Sequence, residues 1–173
     1  MTHADQPKPS LDRQLDLTDI PNIDLYMDQV IQLFERTFEE TTRSEGETIL
    51  TKTMINNYAK KKLFFPVTNK KYTKNHLILI SLIYQLKGTF SINDIKTILT
   101  DLNTGITNQT IDLEAFYQTY LDTTTTNQTF FEEQQQLPDD LDHLEQLQLI
   151  LSLAHMSNLY RRAAERLIDQ LED

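Results

Sequence analysis

The sequence predicts a mainly α-helical fold that carries one small β-hairpin and ends in a long helix. Three observations predict it. Apolar residues recur at three- and four-residue steps along most of the chain, the period of a helix with one buried face. One stretch, Leu63 to Tyr72, breaks that period: it holds Pro66 and gathers aromatic and β-branched residues around Asn69-Lys70. After Pro138, some thirty residues then run to Leu171 without Pro or Gly.

Taken in order, residues 1–17 hold Pro7, Pro9 and scattered charges with little apolar periodicity, and they read as a mobile tail. From Ile23 the residues Leu25, Tyr26, Val30, Leu33, Phe34 and Phe38 predict a first helix to about Glu40. Thr41 to Thr48, with Gly46, is a connecting loop. Thr51 is placed to cap a second helix that buries Met54, Ile55 and Tyr58 and runs to about Lys62. A hairpin over about 64–72 comes next, turning at Asn69-Lys70. Thr73 caps a third helix, Lys74 to about Lys87, apolar enough to be buried on most sides, and Gly88 ends it. Ser91 and Asp94 form a capping box for a fourth helix to about Leu102, with Ile92, Ile95, Ile98 and Leu99 inward.

Residues 103–110 read as a polar loop, and Ile111 to Leu121 as a short helix burying Ala115, Phe116, Tyr120 and Leu121. The Thr/Gln/Asn-rich stretch 123–136 reads as a mobile loop. The final helix spans Leu141 to about Leu171, where Ile150, Leu153, Ser157, Tyr160, Ala164, Leu167 and Leu171 keep a heptad-like spacing that suits a homodimer seam.

The charge is unevenly distributed. The formal net charge is −10, yet residues 48–93 contain no Asp or Glu and hold eight lysines: Lys52, Lys60, Lys61, Lys62, Lys70, Lys71, Lys74 and Lys87. A positive surface cleared of carboxylates is what phosphate binding requires, while a solvated lysine-rich face is the plainer alternative. The second helix would present Thr51, Lys52, Thr53, Asn56, Asn57, Lys60 and Lys61 on its polar side, and Asn and Lys can contact base edges and phosphates in a major groove. Asn69, Lys70, Lys71 and Tyr72 of the hairpin would lie against the backbone. Helix, hairpin and a rigid apolar helix behind them make a winged helix-turn-helix, over residues 18–102. Residues 103–173 would then be a helical extension that dimerises, binds a signal, or both.

Met54 to Phe64, then Pro66, Lys71-Tyr72, the apolar helix from Leu77, and Gly88-Thr89-Phe90-Ser91-Ile92 with Ile95-Lys96 agree in order and spacing with four segments of MerR-type regulators. The chain therefore resembles, over about residues 51–100, a MerR-like winged helix-turn-helix. Asn56 stands where that family has Arg, and Lys62 where it has the Gly that ends the helix. Leu25 to Val30 and Leu50 to Tyr58 are more closely similar to the hallmark segments of a family of low-GC Gram-positive bacteria, domain of unknown function 1836, over about residues 18–125. That resemblance implies a DNA-binding transcription regulator and brings no ligand, operator or mechanism with it.

Other chemistries find little footing. There is no Cys for a disulfide, a thiolate metal site or a nucleophile, and three glycines leave no Gly-rich phosphate loop. His3, His76, His143 and His155 share no metal-ligand spacing, and no Ser sits in a nucleophile elbow. Neither an enzyme nor a cofactor is expected. The longest apolar run, Leu77 to Leu86, is too short for a bilayer, and no signal peptide opens the chain, so a cytoplasmic site is expected. Two other readings compete with double-stranded DNA binding. One is a protein-interaction module that uses the basic hairpin and the last helix. The other is a sensor whose Phe116, Tyr117, Tyr120, Phe130 and Phe131 line a pocket for a small-molecule effector.

Overall fold

The computed structural model describes residues 10–135 and 137–171. Six helices carry the fold: α1 (Met27–Phe38), α2 (Lys52–Lys60), α3 (Lys74–Leu86), α4 (Ile92–Thr107), α5 (Leu113–Gln134) and α6 (His143–Asp169). Two short strands, β1 (Leu25–Tyr26) and β2 (Lys71–Tyr72), pair antiparallel with Leu25 opposite Tyr72 and Tyr26 opposite Lys71. The fold is thus mainly helical with one small sheet, as the periodicities predict. No helix is long and apolar enough to cross a membrane among the described residues.

α3 is the axle. Every residue from His76 to Ile83 is buried, so the helix is covered on all sides. α1 brings Val30, Phe34 and Phe38 to the core, α2 brings Ile55 and Tyr58, α4 brings Ile95, Leu99 and Leu102, and α5 brings Leu113, Tyr117 and Leu121. The caps expected at Thr73 and Ser91 are present, each with the reciprocal bond from the third residue of its helix.

Five expectations are corrected. The segment 10–17 is packed: Leu15 is fully buried, and its carbonyl accepts a hydrogen bond from the Tyr117 hydroxyl at 2.8 Å. The rest of the expected tail, 1–9, lies outside the described residues. The first helix begins at Met27, because Leu25 and Tyr26 are taken by the sheet. The hairpin over 64–72 is reduced to a tight turn with one bridge, Thr68 to Lys71, and β2 finds its longer partner in β1 instead.

The loops expected at 103–110 and 123–136 are largely helix. α4 continues to Thr107, and α5 continues to Gln134, while Gln136 lies outside the described residues. The threonines of the second extension are accommodated inside the helix. Thr119, Thr123, Thr125, Thr126 and Thr129 each donate to the carbonyl four residues back, so the hydroxyls are satisfied inside the helix. The inward face of α5 also differs from expectation. With Asp112 as its cap the helix buries Leu113, Tyr117 and Leu121, and Ala115 and Phe116 face outward.

Candidate nucleic-acid interface

The candidate surface is built from α2 and the turn beyond it. Thr51 opens the helix, its hydroxyl accepting from the Met54 amide at 3.1 Å. Ile55 and Tyr58 hold the inner face, leaving Lys52, Thr53, Asn56, Asn57 and Lys60 exposed on the outer one. Lys61 caps the end. Lys62 then adopts φ 58°, and the Lys62 and Leu63 amides donate back to Ala59 and Tyr58. That is the paired-bond helix stop in which glycine usually supplies the left-handed residue. The chain turns inward at Leu63 and Phe64, both buried.

A pair of left-handed residues forms the tight turn before β2. Asn69 has φ 52° and Lys70 φ 57°, and the Lys71 amide donates to the Thr68 carbonyl at 3.0 Å. Positive φ at both central residues defines the turn whose twist matches paired strands. Lys70 stands exposed at the tip, while the Lys71 ammonium lies 5.5 Å from the centre of the Tyr26 ring. Tyr72 is corrected as a contact residue: it is only 5% exposed and packs edge-on against Phe64 and His76.

His76 fastens the segment that leads into this turn to α3. The Thr73 amide donates to Nδ1 at 3.1 Å, which leaves Nε2 to carry the proton and donate to the Phe65 carbonyl at 3.0 Å. The ring is 1% exposed, 3.9 Å from that of Phe65, and burial pushes its pKa down despite opposing pulls from the Phe65 and Pro66 carbonyls and from Asp24. A second fastening comes from α4, where the Asn103 amide donates to both Leu63 and Leu99 carbonyls at 3.0 Å. With two carbonyls as neighbours the amide orientation is fixed, and its Oδ1 is buried with no hydrogen-bond partner among the described residues. An open groove of about 800 Å³ runs between the wing base and the end of α4, walled by Phe65, Pro66 and Val67 on one side and Asn103, Thr104 and Thr107 on the other.

The eight lysines are not all alike in space. Lys52 pairs with Asp28 of α1 at 2.8 Å, and Lys74 with Glu114 of α5 at 2.9 Å. Lys87 donates to the Ile49 carbonyl and sits over Tyr84, and burial lowers its pKa. Lys60, Lys61, Lys62 and Lys70 remain exposed around the end of α2 and the turn. Among the described residues no carboxylate pairs with Lys60, Lys61, Lys62 or Lys70, whereas at the start of α2 Asp28 reaches Lys52 through the fold. The fastening residues His76 and Asn103 escaped sequence reasoning. For His76 a signal existed, the Thr-x-x-His spacing of a capping box; for Asn103, whose partner Leu63 is forty residues upstream, there was none.

Strand β1 leads into α1, α2 comes after it, and β2 returns beside β1, so the turn, the end of α2 and α1 belong to one packed unit. Residues 15–120 match the family described as domain of unknown function (DUF1836), and the chain belongs to that family. No curated protein matches the chain, and no solved structure matches it.

Proposed function

We propose that this chain is a double-stranded-DNA-binding transcription regulator of the MerR-like type. In this role α2 enters the major groove, and the turn at Asn69 and Lys70 rides on the adjacent phosphates. The observation that carries the reading is backbone strain at charged residues. Lys62 and Lys70 both hold left-handed conformations that disfavour side chains, and both are exposed lysines, one at the end of α2 and one at the turn. Each costs about 1–2 kcal/mol relative to a residue without a Cβ. Strain kept at such positions is a mark of function, and two positive charges are what it retains.

The strand order also supports the reading, because a wing strand paired with a strand ahead of the first helix is what a winged helix-turn-helix needs to steady its tip. Asn56 and Asn57 on the open face of α2 are the residues to read bases, with Thr53 and Lys52 toward the helix start. Lys60, Lys61, Lys62 and Lys70 are the phosphate contacts. The chain carries out no catalysis in this role and works in the cytoplasm. The sensor alternative is weaker, because the five aromatic residues do not converge. Tyr117 and Tyr120 stack on each other, with Tyr117 in the core, and Phe116 faces solvent. Phe130 and Phe131 line a separate cleft with α6.

Binding to a generic fluorescent duplex, titrated with salt, tests the proposal. Four to six phosphate contacts per protomer give a log–log slope of roughly −4 to −5. The Lys60/Lys70/Lys71→Ala variant should bind more weakly, with a shallower slope. No binding of the intact chain at about 50 mM salt, where non-specific contacts are strong, would reject DNA and favour the protein-interaction module.

A further inference from the structure

The start of α6 has little of its own chain over it. The helix touches α4, its one buried residue is Ile168 near its end, and its middle flanks a cleft of about 740 Å³ with Phe130 and Phe131 of α5. Every residue from Asp142 to Gln148 is exposed, and Leu144 and Leu151 are 71% and 66% exposed. Leu144, Leu147, Leu151 and Ala154 recur at steps of three and four, so they form one stripe along one side of the helix. An apolar stripe of this kind, rimmed by polar residues, marks a surface that another protein covers. The seam expected from Ile150 to Leu171 differs, because Leu153 and Ala164 are partly covered by the chain's own residues and Leu153 belongs to the cleft wall.

Charge along α6 selects the occupant. Asp140, Asp142 and Glu145 lie at the start of the stripe, and Arg161, Arg162 and Arg166 lie after it, with no Asp, Glu, Lys or Arg between Glu145 and Arg161. Glu165 and Asp169 share the arginine end, and Glu165 pairs with Arg161, so Arg162 and Arg166 are the cations left to face a partner. A second copy laid parallel would set acid on acid and Arg on Arg. A second copy laid antiparallel about Tyr160, the middle of the expected seam, would bring the two Arg161-Arg162 pairs together. An antiparallel copy crossing near Leu151 sets each acidic end on the other's arginines. Asp140 and Arg162 then stand equally far from the crossing, one on each side, and both are exposed. We propose that two copies of this chain associate antiparallel through Leu144, Leu147, Leu151 and Ala154, about a two-fold axis near Leu151. The contact is isologous, each copy giving the same stripe. It forms without DNA, so it stands apart from the DNA-binding reading.

Sedimentation velocity on the full chain without DNA tests association, from about 1 to about 100 μM, the range in which a small interface assembles. The chain should be dimeric at the upper end, and Leu151→Glu should make it monomeric. Because Leu151 is exposed in the single copy, that change should leave the melting temperature nearly unaltered at about 1 μM, where both chains are monomeric. Arg162→Glu should weaken the dimer about tenfold, and adding Asp140→Arg should restore it. Orientation is read by cross-linking, which the absence of native Cys makes clean. Leu151→Cys should link to itself. Arg162→Cys should not, yet should link to a chain carrying Asp140→Cys. A chain monomeric throughout, a dimer that survives Leu151→Glu, or self-linking by Arg162→Cys would each overturn the proposal.

Discussion

Lys62 and Lys70 occupy backbone conformations that glycine holds without strain. Lys62→Gly and Lys70→Gly should therefore each raise unfolding stability by about 0.5–1 kcal/mol, the left-handed strain relieved less the extra entropy glycine has when unfolded. Each should also make the salt slope of duplex binding shallower by roughly one, as a phosphate contact is lost. Urea unfolding and the salt titration measure the two effects on the same samples. A gain in stability with unchanged binding would remove the functional reason for the strain. The end of the second helix at about Lys62 was legible in the sequence, whereas its left-handed conformation was not, since no glycine marks it. The wing turn was legible from Asn69-Lys70 alone.

His76 makes a second prediction at this scale. Burial lowers its pKa in the fold, so the folded chain binds the proton less readily than the unfolded chain, whose histidine titrates near the ordinary value of about 6.5. The stability it supplies is complete above that value and is lost as pH falls through the lowered folded pKa. Protonation would also point an Nδ1–H at the Thr73 amide, two donors head to head. Stability should fall between pH 7 and pH 5.5 in urea unfolding. His76→Gln keeps a capping side chain at the same place without a titrating group, and should flatten that dependence while lowering stability at pH 7.

At the scale of elements, α4 shows why a sequence reading stopped short. Its apolar face ends at Leu102, and the stretch from Asn103 to Thr107 is mostly polar and includes Gly105. The helix continues because Asn103 is bonded to Leu63 and Leu99, and because Gly105 lets Ile111 close over it. A Cβ on Gly105 would lie 2.2 Å from the Ile111 Cδ1 and 2.9 Å from its Cβ, too near for a small rotation to relieve. Past Thr107 the chain stops on Gln109, at φ 57°, and its Thr110 amide donates to the Gly105 carbonyl at 2.8 Å. Gly105→Ala gains about 1 kcal/mol in helix propensity and loses about 1–3 kcal/mol to overpacking. A net loss of stability in thermal unfolding is expected, and a gain would show that Ile111 moves freely. The sheet was legible only in half. β2 could be read from its composition, whereas β1 is two residues long, and its partner lies some forty-five residues further on.

The molecule as a whole is organised by a core that runs from Leu15 to Leu121 and does not stop at residue 102, where the sequence suggested a boundary. Periodicity shows which face of a helix is buried, but not against which distant segment, so the sequence did not show that α5 joins this core. Tyr117 of α5 is the keystone. Its ring is fully buried, its hydroxyl donates to the Leu15 carbonyl at 2.8 Å, and it lies 3.0 Å from the Ser81 hydroxyl of α3. Since Tyr117 gives its proton to Leu15, Ser81 must donate to Tyr117, and the three segments form one directed chain. Burial holds the Tyr117 phenol neutral, well above its ordinary pKa. Tyr117→Phe keeps the ring and removes both bonds, leaving a carbonyl and a hydroxyl unpaired in the core. The expected cost is about 1–3 kcal/mol. A fragment ending at residue 102 loses Tyr117 with the rest of α5, strips one side of α3, and should not fold cooperatively. A fragment ending near residue 125 keeps the whole cluster and should melt as one unit. Circular dichroism during heating distinguishes these results, and cooperative melting of the shorter fragment would show that α5 is an appendage and not part of the core.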